Sequence, residues 1–124
     1  MKILILIFLL LLPTSVHAED KSSWTWTDTG LEATYLTLHA MDWSQTLHIA
    51  RNPQTYSEMN SILGPHPSTG RVNSYYALTG ALHVGAAYFL PKPYRTVFQS
   101  TWIIIEYDWV QHNRRHGIGI SLRF

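Results

Sequence analysis

The residues of this sequence that could bind a metal ion or transfer a proton are histidines and carboxylates from residue 39 onward. They are His39, Asp42, His48, His66, His83, Glu106, Asp108, His112 and His116. Residues three or four apart share one face of a helix, so these side chains fall into groups on helical faces together with polar neighbours. If those faces meet, the sequence predicts a polar interior that contains Asp42, Gln45, Asn60, Asn73, His83, Glu106 and Asn113.

Two interpretations of this polar interior remain open. In the first, the groups satisfy one another's hydrogen bonds and fix the register of the helices, because an unpaired buried polar group costs about 1–3 kcal/mol. In the second, the interior binds a metal ion or transfers protons. The acid-to-histidine spacings Asp42 to His48 and Asp108 to His112 do not match the Glu-x-x-His pairs of di-metal helical bundles. The sequence therefore leaves both the metal and the cofactor unknown.

No catalytic signature accompanies these residues. The sequence contains no H-E-x-x-H zinc motif, no G-x-S-x-G elbow and no glycine-rich phosphate loop. It also contains no cysteine, which excludes a thiol nucleophile, thiolate ligands and disulfides. The sequence favours a protein without enzymatic activity.

The elements that must position these residues are helices. Thr29 and Glu32 have capping-box spacing and predict the start of a first long helix, which Asn52-Pro53 ends. One stripe along this helix contains Leu31, Tyr35, Leu38, Asp42, Gln45 and Ile49. Two polar side chains thus occupy the centre of a face that should be apolar.

Two further helices are predicted after it. Residues 57–63 suggest a short connector helix that Gly64 stops, and a second long helix extends from about Arg71 to Leu90. Residues 72–90 carry no formal charge and are just long enough to cross a bilayer core of about 30 Å. A small-residue face for close helix packing is formed by Ala77, Ala81 and Gly85.

The third long helix begins at Pro93 and extends to about His112. Its apolar centre contains Glu106 and Asp108, so it would enter a membrane only together with the other helices. Apolar residues alternate over 117–124, which predicts a short extended C-terminal tail that lies on the helices. The predicted fold class is all-α, with three long helices and a short connector helix.

The first 18 residues predict a secretory signal peptide. Met1-Lys2 supplies the positive start, residues 3–12 form an apolar run, and Val16-His17-Ala18 suits signal peptidase. Residues 19–124 are then one exported helical domain. Nine basic and eight acidic residues nearly cancel, which gives the chain no electrostatic field for nucleic acid.

Three segments resemble a group of small exported or membrane proteins from proteobacteria and their phages. The group carries the series D-W-x-Q-T, E-x-N-x-I-L-G-x-H-P and R-V-N-x-Y. The matching segments are Asp42-Trp43-Ser44-Gln45-Thr46, Asn60 to Pro67 and Arg71-Val72-Asn73-x-Tyr75. The group also has an acid at the position of Glu106 and an asparagine near Asn113. The resemblance covers about 40–113 and implies one unbroken fold unit, but it implies no reaction.

These observations predict a non-enzymatic helical protein of the cell envelope. We expect it to be embedded in or pressed against the inner membrane rather than free in the periplasm. Its expected partners are the membrane, a second copy or another envelope protein, and five Trp and seven Tyr suit a membrane interface. One alternative is a metal- or proton-handling membrane protein. Another is a soluble periplasmic helical domain that binds an apolar ligand.

Overall fold

The computed structural model describes residues 23–121 and 123–124, and the predicted signal peptide over 1–18 lies outside them. Three long helices follow one another: α1 (Trp26–Arg51), α2 (Thr69–Phe89) and α3 (Tyr94–Arg115). The described residues form no strand. The prediction of an all-α fold with three long helices is therefore confirmed.

Helix α1 begins about one turn before the predicted start. Thr25 is its N-cap, because the Thr25 hydroxyl accepts from the backbone N–H of Asp28 at 3.3 Å and the Asp28 carboxylate accepts from the backbone N–H of Thr25 at 2.7 Å. Thr29 and Glu32 have the same spacing, so spacing alone could not choose between the two boxes. As a result, Glu32 is free to turn its carboxylate toward the other helices.

The predicted connector helix over 57–63 is not formed, and turns take its place. The Asn60 side chain accepts from the backbone N–H of Ile62 at 2.9 Å, and the Asn60 N–H donates to the Glu58 carboxylate at 2.8 Å. Such local side-chain bonds offer the backbone an alternative to a helix. Gly64 ends the turn with a φ of 78°, a conformation that glycine adopts without strain.

Helix α1 packs against both other helices, whereas α2 and α3 contact each other much less. Arg95 of α3 fixes the link between α2 and α3. Its Nε donates to the carbonyl oxygens of Ala87 at 2.9 Å and Leu90 at 3.1 Å. Carbonyls at the C-terminal end of a helix lack helical partners, so this side chain satisfies them and holds the chain where it turns back.

One contiguous apolar cluster lies where the C-terminal part of α1 meets the loop and the first turns of α2. It consists of Leu47, Leu63, Val72 and Tyr76. Burial of each such side chain stabilises the fold by about 1.5–3 kcal/mol. Six more apolar residues of the described part of the chain are buried elsewhere, together with twelve polar or charged ones. The six are Tyr35, Ile49, Ala87, Phe98, Val110 and Ile118.

Helix α2 packs through a different face from the predicted small-residue face. Ala77 and Ala81 are exposed, and a Cβ atom built on Gly85 has no neighbour within 4 Å. A Cβ atom built on Gly80 would lie 3.4 Å from the ring of His39. The close approach of α2 to α1 therefore occurs at Gly80. The buried residues of α2 are Val72, Tyr76, Gly80, His83 and Ala87.

The prediction of a membrane-crossing helix is not supported. Within residues 23–121 and 123–124, no helix combines the length and the hydrophobicity that crossing a membrane requires.

The end of the chain returns to α1, and Ile118 is buried. The Ser44 hydroxyl accepts from the backbone N–H of Ser121 at 2.7 Å and donates to the Ser121 carbonyl. The ring of Phe124 packs edge-on against Trp43 with centroids 5.1 Å apart. Ser121 and Phe124 of the tail therefore pack against α1. Residue 122 is not described, and an extended conformation of the whole tail stays a prediction.

Candidate functional site: a polar interior

The face of α1 that is directed into the bundle carries mostly polar side chains. Its buried positions alternate in steps of four and three, which is the heptad spacing of a helix seam. The positions in this series are Asp28, Glu32, Tyr35, His39, Asp42, Thr46 and Ile49, and Ser44, Gln45 and Leu47 are buried beside it. Hydrogen bonds and ion pairs must hold this interior together, because burial of an unpaired carboxylate is costly.

Asp28 and Arg95 form an ion pair at the N-terminal end of α1. An Arg95 guanidinium nitrogen lies 3.2 Å from Asp28 Oδ2, and the Lys92 ammonium lies 3.5 Å from the same oxygen. Burial raises the pKa of Asp28, but hydrogen bonds from Thr25 and from Arg95 outweigh it, so this pKa lies below its ordinary value. Asp28 is therefore an ionised and paired carboxylate.

Glu32 and His83 form a second pair in the next layer. His83 Nδ1–H donates to Glu32 Oε1 at 2.9 Å, and the Gln99 amide donates to Glu32 Oε2 at 2.8 Å. His83 Nε2 is buried and has no hydrogen-bond partner among the described residues. A neutral imidazole fits this environment, since a second N–H would find no acceptor. Burial lowers the pKa of His83 in spite of its hydrogen bond to Glu32.

His39 and Glu106 form a third pair with the opposite protonation. His39 Nδ1 lies 2.7 Å from Glu106 Oε1, and His39 Nε2 lies 3.0 Å from the carbonyl oxygen of Tyr76. A carbonyl oxygen only accepts, so Nε2 must carry a hydrogen. Burial lowers the pKa of His39, but the hydrogen bond and the charge of Glu106 outweigh it and raise this pKa above its ordinary value. The pair is an imidazolium facing a carboxylate, with no net charge.

The ring of Tyr35 separates these two pairs. It stacks on His83 with centroids 3.4 Å apart and on His39 with centroids 5.2 Å apart. Phe98 also stacks on His83, at 4.5 Å. Burial and the charge of Glu106 raise the pKa of Tyr35 well above its usual range, so the phenol stays neutral. The stack fixes the ring planes of both histidines.

Asp42 lies near the third pair but has neutral hydrogen-bond donors. The Tyr76 hydroxyl donates to Asp42 Oδ2 at 2.5 Å, and the Asn113 amide donates to Oδ1 at 3.0 Å. Burial and the charge of Glu106 raise the pKa of Asp42 to about 7, although the Tyr76 hydrogen bond opposes the shift. Among the ion pairs of the described residues, none includes Asp42.

Gln45 and Asn113 join the interior to the C-terminal tail. The Asn113 amide donates to Gln45 Oε1 at 3.2 Å. The Gln45 amide in turn donates to the carbonyl oxygens of Val110 at 3.3 Å and Ile118 at 3.2 Å. Gln45 is fully buried, so these bonds satisfy a carboxamide that has no access to water.

The sequence-predicted residues fall into two groups in the structure. The buried ones are Asp42, Gln45, His83, Glu106 and Asn113. They do not form one cluster, because His83 pairs with Glu32 and Glu106 pairs with His39. Only Asp42, Gln45 and Asn113 are joined by direct hydrogen bonds.

Asn60 and Asn73 are half-buried and lie outside this interior. Asn60 organises the loop after α1 through its bond with Ile62. The Asn73 side chain accepts from the Trp43 indole N–H at 2.8 Å. Both residues shape the end of the bundle where the loop crosses it.

Sequence reasoning misses Asp28, Glu32 and Arg95. The predicted capping box uses Glu32 and places Asp28 before the helix, because the helix is predicted to start too late. The signal that could have found them is the four-three spacing from Asp28 to Ile49, which is unbroken once the helix begins at Trp26. Arg95 sits in the first turn of α3 and carries no comparable signal.

The chemistry open to this interior is the binding of protons. In the described part of the chain, no group of three or more histidines or acids is placed to hold a metal ion. The acids and imidazoles instead meet in pairs or accept from neutral donors, and each arrangement fixes a different protonation state.

Comparisons of the chain with protein-family models, with curated proteins and with solved structures find no match.

Proposed function

We propose that the chain is a small helical protein of the cell envelope, exported by residues 1–18, that acts without catalysis through contacts of its outer surface with membrane lipid. The observation that carries this proposal is the distribution of side chains. Among the described residues, twelve buried side chains are polar or charged, whereas fifteen large apolar side chains are exposed. Extended exposed apolar surface marks sites of membrane or protein contact.

The exposed apolar residues lie on more than one helix. Leu78 and Leu82 of α2 expose 61% and 62% of their surface, and Ile104 and Tyr107 of α3 expose 68% and 56%. One folded partner would cover one patch and leave the others in water. A continuous apolar phase would cover all of them, which favours lipid over a single protein partner.

Exposed aromatic side chains gather at one end of the bundle. The start of α1, the end of α2 and the start of α3 meet there, as the contact between Trp24 and Tyr88 shows. Amphipathic aromatic side chains are enriched where a membrane meets water. This end would therefore lie at the level of the lipid head groups. The exposed aromatics are Trp26, Tyr88, Phe89 and Tyr94.

A second candidate function is the binding of a separate apolar ligand. A groove of about 570 Å³ lies between α1 and α3. Its lining includes Leu38, Ile103 and Ile104. Small-molecule sites have a similar size and an apolar lining, which is the specific support for this candidate.

Fractionation of the exported chain tests the first candidate. We expect the protein to stay with membranes in alkaline carbonate and to be extracted by detergent. Replacing Leu78 and Leu82 together by Gln should move a large part of it into the carbonate-soluble fraction while helix content by circular dichroism is unchanged. Ser74→Gln is the matched control, since Ser74 is an exposed polar residue of the same helix.

Two results would count against lipid contact. Release of the unchanged chain by osmotic shock without detergent would reject it and favour the apolar-ligand candidate. The second result is that the chain cross-links to one envelope protein and stays with membranes only when that protein is present. That result would reject lipid contact in favour of a protein partner.

A further inference from the structure

The middle of the polar interior contains more acids than bases. Asp28 is neutralised by Arg95 and Lys92 at one end of the bundle. The remaining buried acids and imidazoles are Glu32, Asp42, Glu106, His39 and His83. Three acids and two imidazoles remain, so one acid lacks a cation even when both rings are protonated. The pairing leaves Asp42 as that acid, because Glu32 and Glu106 each bind a histidine.

The charged and titratable groups around Asp42 come from every element that packs on it. The imidazolium of His39 is the only cation among them in the described residues, and Glu106 already neutralises it. The other charged groups are acids, so an ionised Asp42 adds a second uncompensated negative charge to the one on Glu32. The groups are His39 on α1, Tyr75 and Tyr76 on α2, Glu106 on α3 and Glu58 in the loop.

The hydroxyl groups beside Asp42 suit both of its protonation states. Tyr76 lies between Asp42 Oδ2 at 2.5 Å and the Thr46 hydroxyl at 2.9 Å. With Asp42 ionised, the Tyr76 O–H donates to the carboxylate. With Asp42 protonated, the carboxyl O–H donates to the Tyr76 oxygen, and the Tyr76 O–H turns to the Thr46 oxygen. Only hydrogens rotate between the two arrangements.

A groove of about 330 Å³ lies between α1 and α2, next to residues that surround Asp42. His39, Trp43 and Tyr76 contribute to its lining. Of these residues, Tyr76 hydrogen-bonds Asp42, and His39 belongs to the neighbouring ion pair with Glu106. Asp42 does not line the groove, but Tyr76 does and donates to its carboxylate, and Asp42 itself keeps 9% of its surface exposed.

We propose that Asp42 is a reversible proton-binding site, in which Tyr76 and Thr46 accommodate either protonation state and the groove beside His39 gives access to solvent. The ligand is a proton. Its binding removes one uncompensated negative charge from the interior, so the packing of all three helices becomes linked to pH.

Infrared difference spectroscopy of the purified full chain tests this proposal directly, because a protonated carboxyl group and a carboxylate absorb at different frequencies. We expect the band of a protonated carboxyl group to disappear with a midpoint at about pH 7. Asp42→Asn should remove that band. Asp108→Asn should leave it, since Asp108 is an exposed acid on α3.

Tyr76→Phe keeps the test decisive even if Asp42→Asn does not fold. This variant retains Asp42 but removes a donor to its carboxylate, so the midpoint should move to higher pH. The absence of any buried carboxyl that titrates between about pH 5 and 9 would overturn the proposal. It would also be overturned if the band persisted in Asp42→Asn and vanished in Glu106→Gln, or if Tyr76→Phe left the midpoint unchanged.

Discussion

His39 and His83 show how hydrogen-bond partners decide the state of a buried imidazole. Both rings are buried against Tyr35 and both bind a glutamate through Nδ1. They differ at Nε2, which faces the Tyr76 carbonyl in His39 and has no partner among the described residues in His83. An acceptor at the second nitrogen requires a hydrogen on that nitrogen, whereas the absence of an acceptor favours the neutral ring. The same residue type therefore supplies a cation in one layer and a neutral donor in the next.

Replacing each ring by phenylalanine should separate these states. His39→Phe leaves the Glu106 carboxylate buried without its cation, so we expect the free energy of unfolding to fall by about 3–5 kcal/mol. His83→Phe keeps the aromatic stack and leaves the Gln99 donor on Glu32, so a loss of about 1–3 kcal/mol is expected. Chemical denaturation of both variants measures the difference. Equal losses would contradict the assigned protonation states.

The helices show which parts of the fold the sequence could predict. The number of long helices and the proline-marked end of α1 follow from periodicity and local chemistry. The start of α1 does not, because the pairs Thr25 with Asp28 and Thr29 with Glu32 have identical spacing. The choice between them is made by tertiary contacts of Asp28 with Arg95 and of Glu32 with His83.

The same limit applies to the packed faces and the polar site. An apolar stripe predicts the inner face of a helix only when the interior is apolar, and here α1 buries Asp28, Glu32 and His39. Sequence predicts that Asp42 and Glu106 need partners, but the partners lie on other helices. Which pairs form depends on the relative rotation of the helices, and single-helix spacing does not determine that rotation.

Gly80 provides the test of the packed face of α2. Gly80→Leu should force the larger side chain into the His39 ring and lower the free energy of unfolding by about 1–3 kcal/mol, because overpacking strains the interface. Gly85→Leu is the matched control and should be neutral or slightly stabilising, since leucine has the higher helix propensity. Thermal unfolding of both variants checks this, and a larger loss for Gly85→Leu would restore the face predicted from sequence.

In the molecule as a whole, the C-terminal tail packs against the helices. Ile118 is buried, and its carbonyl accepts from Gln45 in the interior. The tail is therefore part of the packing of α1 and α3.

Ile118→Ala should lower the free energy of unfolding by about 2–4 kcal/mol, through lost burial and the cavity that remains. Ile120→Ala is the control, because Ile120 is 44% exposed, and its effect should stay within about 0.5 kcal/mol. Denaturant unfolding of the two variants measures both values. Similar losses of unfolding free energy in the two variants would show that Ile118 does not pack into the interior.

The large share of polar groups in the interior has a consequence for the response of the protein to temperature. The heat capacity of unfolding rises with newly hydrated apolar surface and falls with newly hydrated polar surface. Residues such as Asp28, Gln45 and Gln99 are fully buried and polar, so unfolding hydrates many groups of the second kind. Scanning calorimetry should give a heat capacity change below about 12 cal/mol/K per residue. The curve of stability against temperature is then shallow, and cooling and heating change the free energy of unfolding less than they do in a protein with an apolar core.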